Sequence, residues 1–100
     1  MTAAFNLHVA ENLIEHAPYD PQGRDAVAAK LAPIFANGVF DIMSWNYDNN
    51  IGMVFIRIYR PDGNEVALID LYRMNGTCIE EHWDVNQVRP LDATNPIAMF

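Results

Sequence analysis

Residues 65–88 decide how the second half of this chain folds, and their sequence is EVALIDLYRMNGTCIEEHWDVNQV. Two runs rich in β-branched and aromatic residues, 65–74 and 77–88, flank the pair Asn75-Gly76. Asn-Gly is a strong hairpin signal because both residues tolerate the positive φ angles of a tight turn. The sequence therefore predicts two neighbouring antiparallel strands joined at this pair.

Two more strand-like runs precede this hairpin, at residues 39–47 and 51–59. Their connections are short and polar, formed by residues 48–50 and 61–64. Antiparallel strands can be joined by loops of this length, whereas parallel strands need long crossovers. We therefore predict an antiparallel meander of about four strands, followed by an irregular tail from Arg89 to Phe100.

The first third of the chain has helical spacing. Phe5, Val9 and Leu13 recur every four residues, which predicts a first helix that runs to Ile14. Asp20-Pro21 is typical of a helix start, so a second helix is expected from there. Since Pro33 lacks a backbone N–H, that helix should end or kink at it. Helices followed by strands give an α+β fold with the helices on one face of the sheet.

Composition limits the function classes. The chain has 100 residues, 51% of them hydrophobic, which predicts one folded domain spanning residues 1–100. Thirteen acidic against six basic residues give a net charge of −7, which argues against binding to nucleic acid or to an anionic membrane. A lone Cys78, no long apolar run and no signal-like N-terminus favour a cytoplasmic location.

Alternation along the last strand separates two kinds of side chain. By parity, Ile79, Trp83 and Val85 share one face, and His82 and Asp84 share the other. We expect the apolar face to pair with a second copy of the chain, forming a homodimer. The polar face is expected to look into a cavity beneath the helices.

A carboxylate and an imidazole in a partly desolvated pocket can transfer protons near neutral pH. The spacing of His82 and Asp84 fits that chemistry, and it also fits two residues that merely hydrogen-bond each other at a sheet rim. Asp70 could join them, but its face depends on the hairpin register. No third ligand has a spacing suited to a metal, and no glycine-rich phosphate loop occurs, so neither metal nor cofactor is expected.

Four segments together resemble one known family. The family is the SnoaL-like polyketide cyclases of the nuclear transport factor 2-like superfamily. The segments resemble its sequence patterns, occur in the same order as in the family, and together cover most of the chain. The segments are DLYR at 70–73 with EHWDV at 81–85, LIEHAP at 13–18, GRDA at 23–26, and NPIAMF at 95–100.

The resemblance implies a cone-shaped fold related to the cystatin-like proteins, in which a curved sheet wraps around helices and encloses an apolar pocket. It implies dimerisation through the outer sheet face, here Ile79, Trp83 and Val85. It also implies that Asp84 is a general acid/base for cofactor-independent aldol cyclisation or isomerisation of a small apolar or aromatic carbonyl compound, assisted by His82. Four further residues are assigned to the substrate pocket: His16, Tyr19, Asp70 and Asn86.

The chain departs from the family pattern at Glu15 and Ala17, which replace glutamine and asparagine beside His16. Few residues precede His16, so the first helix is expected to be shortened and the pocket shallower, wetter or completed by another subunit. This leaves open an alternative function, a non-catalytic ligand-binding or dimerisation module of the same fold.

Overall fold

The computed structural model describes residues 1–100 as two helices and five strands. This arrangement confirms the predicted α+β class. In chain order the elements are α1 (Thr2–His8), β1 (Val9–Glu15), α2 (Arg24–Asn37), β2 (Val39–Asp48), β3 (Ile51–Tyr59), β4 (Glu65–Asn75) and β5 (Cys78–Val88).

The predicted meander is confirmed, with one strand added. The five strands form a single sheet in the order β1-β5-β4-β3-β2, and β2 to β5 are antiparallel neighbours. Gly76 adopts a φ of 59° in the β4–β5 turn, as predicted. Asn75 differs from the prediction, because it has no positive φ and is the last residue of β4, paired with Cys78. The fifth strand is β1, which pairs in parallel with β5 at the opposite edge from β2.

The prediction that the first helix continues to Ile14 is wrong. Helix α1 ends at His8, and the chain goes on as β1. The error has a geometric cause: residues four apart share a face in a helix and also in a strand. Val9 and Leu13 are buried together in both interpretations, so their spacing alone could not distinguish them.

The start predicted for the second helix at Asp20-Pro21 is also wrong, because α2 begins at Arg24. Contacts to β1 hold the preceding residues in another conformation. The Gln22 side chain bonds to both the N–H and the C=O of Glu15, and the Gly23 N–H donates to Leu13 O at 3.1 Å. The helix also does not end at Pro33 but continues to Asn37.

A β-bulge in β5 changes the predicted faces of that strand. Arg73 pairs with Glu81 but Met74 pairs with Ile79, so Glu80 is the extra residue. Because the bulge resets the alternation, Ile79 points to the same side as His82, where it packs against the core. The prediction that Ile79 shares the outer face with Trp83 and Val85 is therefore wrong.

The core lies between the helices and the β1–β5 side of the sheet. Val9, Leu13 and Val27 form its centre, each at most 8% exposed. Partly buried side chains from α1, α2 and β5 surround them, namely Phe5, Leu31 and Ile79. Neither helix has the combination of length and apolarity that crossing a bilayer requires.

The outer face of the sheet is apolar across three strands. The pairing registers place six of its side chains in two rows, Phe55–Ile69–Val85 and Met53–Leu71–Trp83. The irregular tail returns to one end of this face, where the Phe100 ring stacks on Phe55 at 6.0 Å and lies 4.5 Å from the Arg57 guanidinium.

Candidate functional site

A cavity of about 300 Å³ lies between the helices and the concave face of the sheet. Its walls are mainly apolar side chains from both helices and from all five strands; Phe5, Leu31, Phe40, Ile58 and Leu68 are examples. Six polar side chains also line it: Glu15, Asp20, Asp70, Tyr72, His82 and Asp84. An apolar cavity with a few convergent polar groups is the usual form of a small-molecule site.

His82 is the centre of the polar group. Its Nδ1 lies 2.7 and 2.9 Å from the two carboxylate oxygens of Glu15, and its Nε2 lies 3.0 Å from Asp70 Oδ1. The side chains of Glu15, Asp70 and His82 are 1%, 10% and 12% exposed. One imidazole thus joins the end of β1 to β4 across the interior of the fold.

These contacts determine the charge of His82. Burial lowers the pKa of the imidazole, but its hydrogen bonds to Asp70 and Glu15, with their negative charges, outweigh burial and raise the pKa to about 9. At neutral pH His82 is therefore an imidazolium that donates from both nitrogens. A ring in this state cannot accept a proton from a substrate.

Tyr72 completes the surroundings of Asp70. Its hydroxyl donates to Asp70 Oδ2 at 3.0 Å, and its ring stacks on His82 with centroids 4.9 Å apart. Burial and the nearby Asp70 carboxylate raise the pKa of Tyr72 far above its usual range, so the phenol stays protonated. Asp70 thus accepts hydrogen bonds at both of its oxygens.

Asp84 lies directly opposite Asp70 in the β4–β5 register, so the two carboxylates share the inner face. This resolves the face of Asp70, which the sequence left open. Unlike Asp70, the Asp84 side chain makes no hydrogen bond to another residue. Burial raises the pKa of Asp84, as do the negative charges of Asp70, Asp20 and Glu15, while the positive charge of His82 lowers it.

A second, outer cleft of about 430 Å³ adjoins the cavity. It lies between the segment after β1 and the end of β5, and Asp20 and Asp84 line both spaces. The predicted pocket residues are therefore divided between them. Asp70 and His82 line the inner cavity, whereas Tyr19 and Asn86 line the outer cleft.

His16 lies in neither space, which corrects its expected place at the pocket wall. Since Glu15 points inward, the next residue of the chain points outward. The His16 ring stacks on Trp83 at 4.9 Å with an interplanar angle of 1°, and its Nε2 lies 2.7 Å from Glu81 Oε2. His16 is therefore part of the outer face.

Glu15 and Tyr72 are site residues that the sequence analysis did not identify. The only signal for Glu15 was its departure from the family's glutamine, next to the matched histidine. The structure adds a support for it, because the Gln22 amide bonds to both backbone polar groups of Glu15. No group of three His, Cys, Asp or Glu side chains is arranged to hold a metal ion.

No protein-family model and no curated protein matches the sequence. Solved structures do match. An NTF2-like protein of unknown function from Cytophaga hutchinsonii has a TM-score of 0.65 and 16% identity, covering 85% of this chain and 83% of its own. A putative SnoaL-like polyketide cyclase from Jannaschia sp. has a TM-score of 0.69 and 11% identity, with 85% and 71% covered.

A third match is a hypothetical protein with a ketosteroid isomerase-like fold from Catenulispora acidiphila, in complex with trimethylamine. Its TM-score is 0.65 at 17% identity, and the match covers 84% of this chain and 72% of that one. Identities this low establish architecture and not activity. The chain therefore has the nuclear transport factor 2-like fold that its motifs predicted.

Proposed function

We propose that this protein binds a small apolar or aromatic carbonyl compound in the inner cavity and moves a proton at the carbon next to the carbonyl, with Asp84 as the general acid/base. The proposal rests on the surroundings of the Asp84 carboxylate. The carboxylate has no hydrogen-bond partner, it faces an apolar cavity, and burial raises its pKa. A base needs such a free acceptor within reach of its substrate.

The neighbouring charges suit Asp84 to this role. Burial raises the pKa of Asp84, and the imidazolium of His82 opposes that rise, which favours the carboxylate form that a base needs. His82 itself is held by Glu15 and Asp70. Its contribution is a positive charge that favours the ionised form of Asp84, and not a transferable proton.

Cofactor-independent aldol cyclisation and isomerisation are the reactions that such a site would serve, because both begin with a proton removed from a carbon next to a carbonyl. The similarity in fold to a putative SnoaL-like polyketide cyclase supports this choice of chemistry without assigning a substrate. The walls of the cavity, with Phe5 and Phe40 among them, suit an apolar or aromatic skeleton.

Hydrogen exchange on a model ketone tests the proposal without knowledge of the natural substrate. The probe is 1-tetralone, a bicyclic aromatic ketone with two exchangeable hydrogens next to its carbonyl. In D₂O the protein should accelerate deuterium incorporation at that carbon, as measured by ¹H NMR. The variant Asp84→Asn should reduce the acceleration roughly 100-fold or more, the usual contribution of a general base.

Asp92→Asn is the matched control, because Asp92 is an exposed carboxylate in the tail and its loss should leave the exchange rate unchanged. Full exchange activity in Asp84→Asn would refute the catalytic proposal. Binding of 1-tetralone with no exchange would favour the alternative function, a non-catalytic binding module. Calorimetric titration with 1-tetralone measures that binding independently of exchange.

We further propose that the protein is a homodimer through its outer face, acting in the cytoplasm. Two rows of apolar side chains cross three strands there, and Ile69 and Val85, paired neighbours in one row, are 40% and 71% exposed. A contiguous apolar surface of this kind is typical of a subunit interface. The free thiol of Cys78 supports a reducing compartment.

A further inference from the structure

The outer cleft is lined by a different set of residues from the inner cavity, apart from two that they share. Its lining comes from Ala17 to Asp20 on one side and Asp84 to Asn86 on the other. Asp20 and Asp84 also line the inner cavity, so the two spaces adjoin at these carboxylates. A ligand whose reacting carbon is held at Asp84 therefore lies at the junction, with room on both sides.

Some of the polar groups at the junction have hydrogen-bond or ion-pair partners within the protein, and others have none. Lys30 Nζ lies 2.5 Å from Asp20 Oδ1 and also donates to the backbone oxygen of Tyr19, so the charge of Asp20 is balanced. The carboxylate of Asp84 has no partner. The side-chain amide of Asn86 and the hydroxyl of Tyr19 likewise make no hydrogen bond within the protein and are exposed in the cleft.

These groups define the kind of ligand that would be accepted. The lining contains an amide and a phenol, which both donate and accept hydrogen bonds, and no cationic side chain. The Asp84 carboxylate would repel an anion brought next to it. A hydroxyl group would instead find acceptors and donors that no other group of the protein occupies.

We propose that the outer cleft is a second ligand subsite, which binds a polar, uncharged, hydroxyl-bearing extension of the molecule whose apolar carbonyl-bearing part occupies the inner cavity. The inference rests on the proposed function, because it assumes that the reacting carbon is held at Asp84. It narrows the substrate class to elongated molecules with one apolar and one hydroxylated end, and it excludes those with a carboxylate or phosphate at that end.

Two ligands matched in size and one charged analogue test the subsite. They are 1-tetralones substituted at the carbon next to the carbonyl with a propyl, a 2-hydroxyethyl or a carboxymethyl group. Calorimetric titration of the wild-type protein should give a Kd for the hydroxyethyl compound roughly threefold to tenfold lower than for the propyl compound, the effect of one net hydrogen bond. The carboxymethyl compound should bind most weakly of the three.

Variants of the cleft residues test whether the tighter binding of the hydroxyethyl compound arises in the outer cleft. Asn86→Ala combined with Tyr19→Phe should remove the advantage of the hydroxyethyl compound and leave the Kd of the propyl compound unchanged. Both residues are exposed and free of hydrogen bonds through their side chains, so folding should not be affected. Gln87→Ala is the control, because it changes the exposed neighbour of Asn86 that lies on the other face of β5.

Equal Kd values for the propyl and hydroxyethyl compounds, or an advantage that survives the double variant, would overturn the subsite while 1-tetralone still binds and exchanges. Failure of 1-tetralone to bind or exchange would instead count against the inner-cavity function. In ¹⁵N NMR titrations, the hydroxyethyl compound should shift the amide signals of Tyr19 and Asn86 more than 1-tetralone does. No difference at these two signals would also overturn the subsite.

Discussion

Asp70 and Asp84 face each other across β4 and β5, yet only Asp70 is hydrogen-bonded to His82. Asp70 accepts from His82 and Tyr72 and is 7% exposed, whereas Asp84 has no partner and opens onto two spaces. The two carboxylates, although paired across neighbouring strands, therefore have different surroundings. One fixes a buried charge, and the other remains available to a ligand.

The ion pairs of His82 should make stability depend on pH. The folded-state pKa of about 9 exceeds the unfolded value of 6.5, so the stabilisation is complete below pH 6.5 and is lost as the pH rises through 9. The difference corresponds to roughly 3 kcal/mol. Urea unfolding at pH 6 and pH 10 should show this loss in the wild-type protein and not in His82→Gln. Identical pH profiles for the two proteins would contradict the assignment.

Glu15 should be a main cause of the raised His82 pKa. Glu15→Gln keeps an acceptor oxygen near Nδ1 but removes the charge, so the pKa of His82 should fall by roughly one to three units. An NMR titration of the His82 ring measures the shift directly. Glu11→Gln changes an exposed glutamate of the same strand and should leave that pKa unchanged. An unaltered His82 titration in Glu15→Gln would show that Asp70 alone sustains the imidazolium.

Tyr72→Phe should destabilise the fold by about 1–2 kcal/mol, because Asp70 would keep only its bond to His82 and one buried oxygen would lose its donor. Chemical denaturation at pH 7 measures the change. Tyr47→Phe is a fair comparison, since its hydroxyl bonds to Asn50 at 3.2 Å on the surface and its removal should cost little. Equal effects of the two substitutions would mean that the Tyr72–Asp70 bond contributes no more than a surface contact.

Val85→Glu should convert the proposed dimer to a monomer. The side chain is 71% exposed in the single chain, so a carboxylate there should not disturb folding but would be buried against an apolar surface in the dimer. Sedimentation velocity at micromolar concentration distinguishes the two states. Leu91→Glu, at a tail residue that is 96% exposed, should remain dimeric. A wild-type protein that sediments as a monomer would remove the basis of this proposal.

The meander could be predicted because its signals are local. Asn75-Gly76 and the short polar loops determine which strands are neighbours, and the alternation of Trp83 and Asp84 then assigns their faces. Strand β1 could not be predicted in the same way, since its partner β5 lies more than sixty residues further along the chain. Its own spacing of apolar residues is equally compatible with a helix.

Site residues on the hairpin were easier to find than those beyond it. His82 and Asp84 lie two residues apart within a recognisable motif, so the sequence itself brings them together. Glu15 meets His82 only when β1 joins the sheet, a contact between residues 67 positions apart. A glutamate in a short N-terminal segment has no local feature that distinguishes a buried partner from a solvated surface charge.

The extra residue Glu80 in β5 determines which side chains of this strand line the cavity. In a regular strand, positions 79 and 82 point to opposite sides, so the same strand could not supply both an aliphatic wall and the charged floor. The insertion of Glu80 removes that restriction, and Arg73 bonds to both Glu80 and Glu81 on the outside. Without this residue, Ile79 could not lie on the same face as His82 and Asp84. A single insertion thus lets one strand of eleven residues place Ile79, His82 and Asp84 on the inner face and Trp83 and Val85 on the outer face.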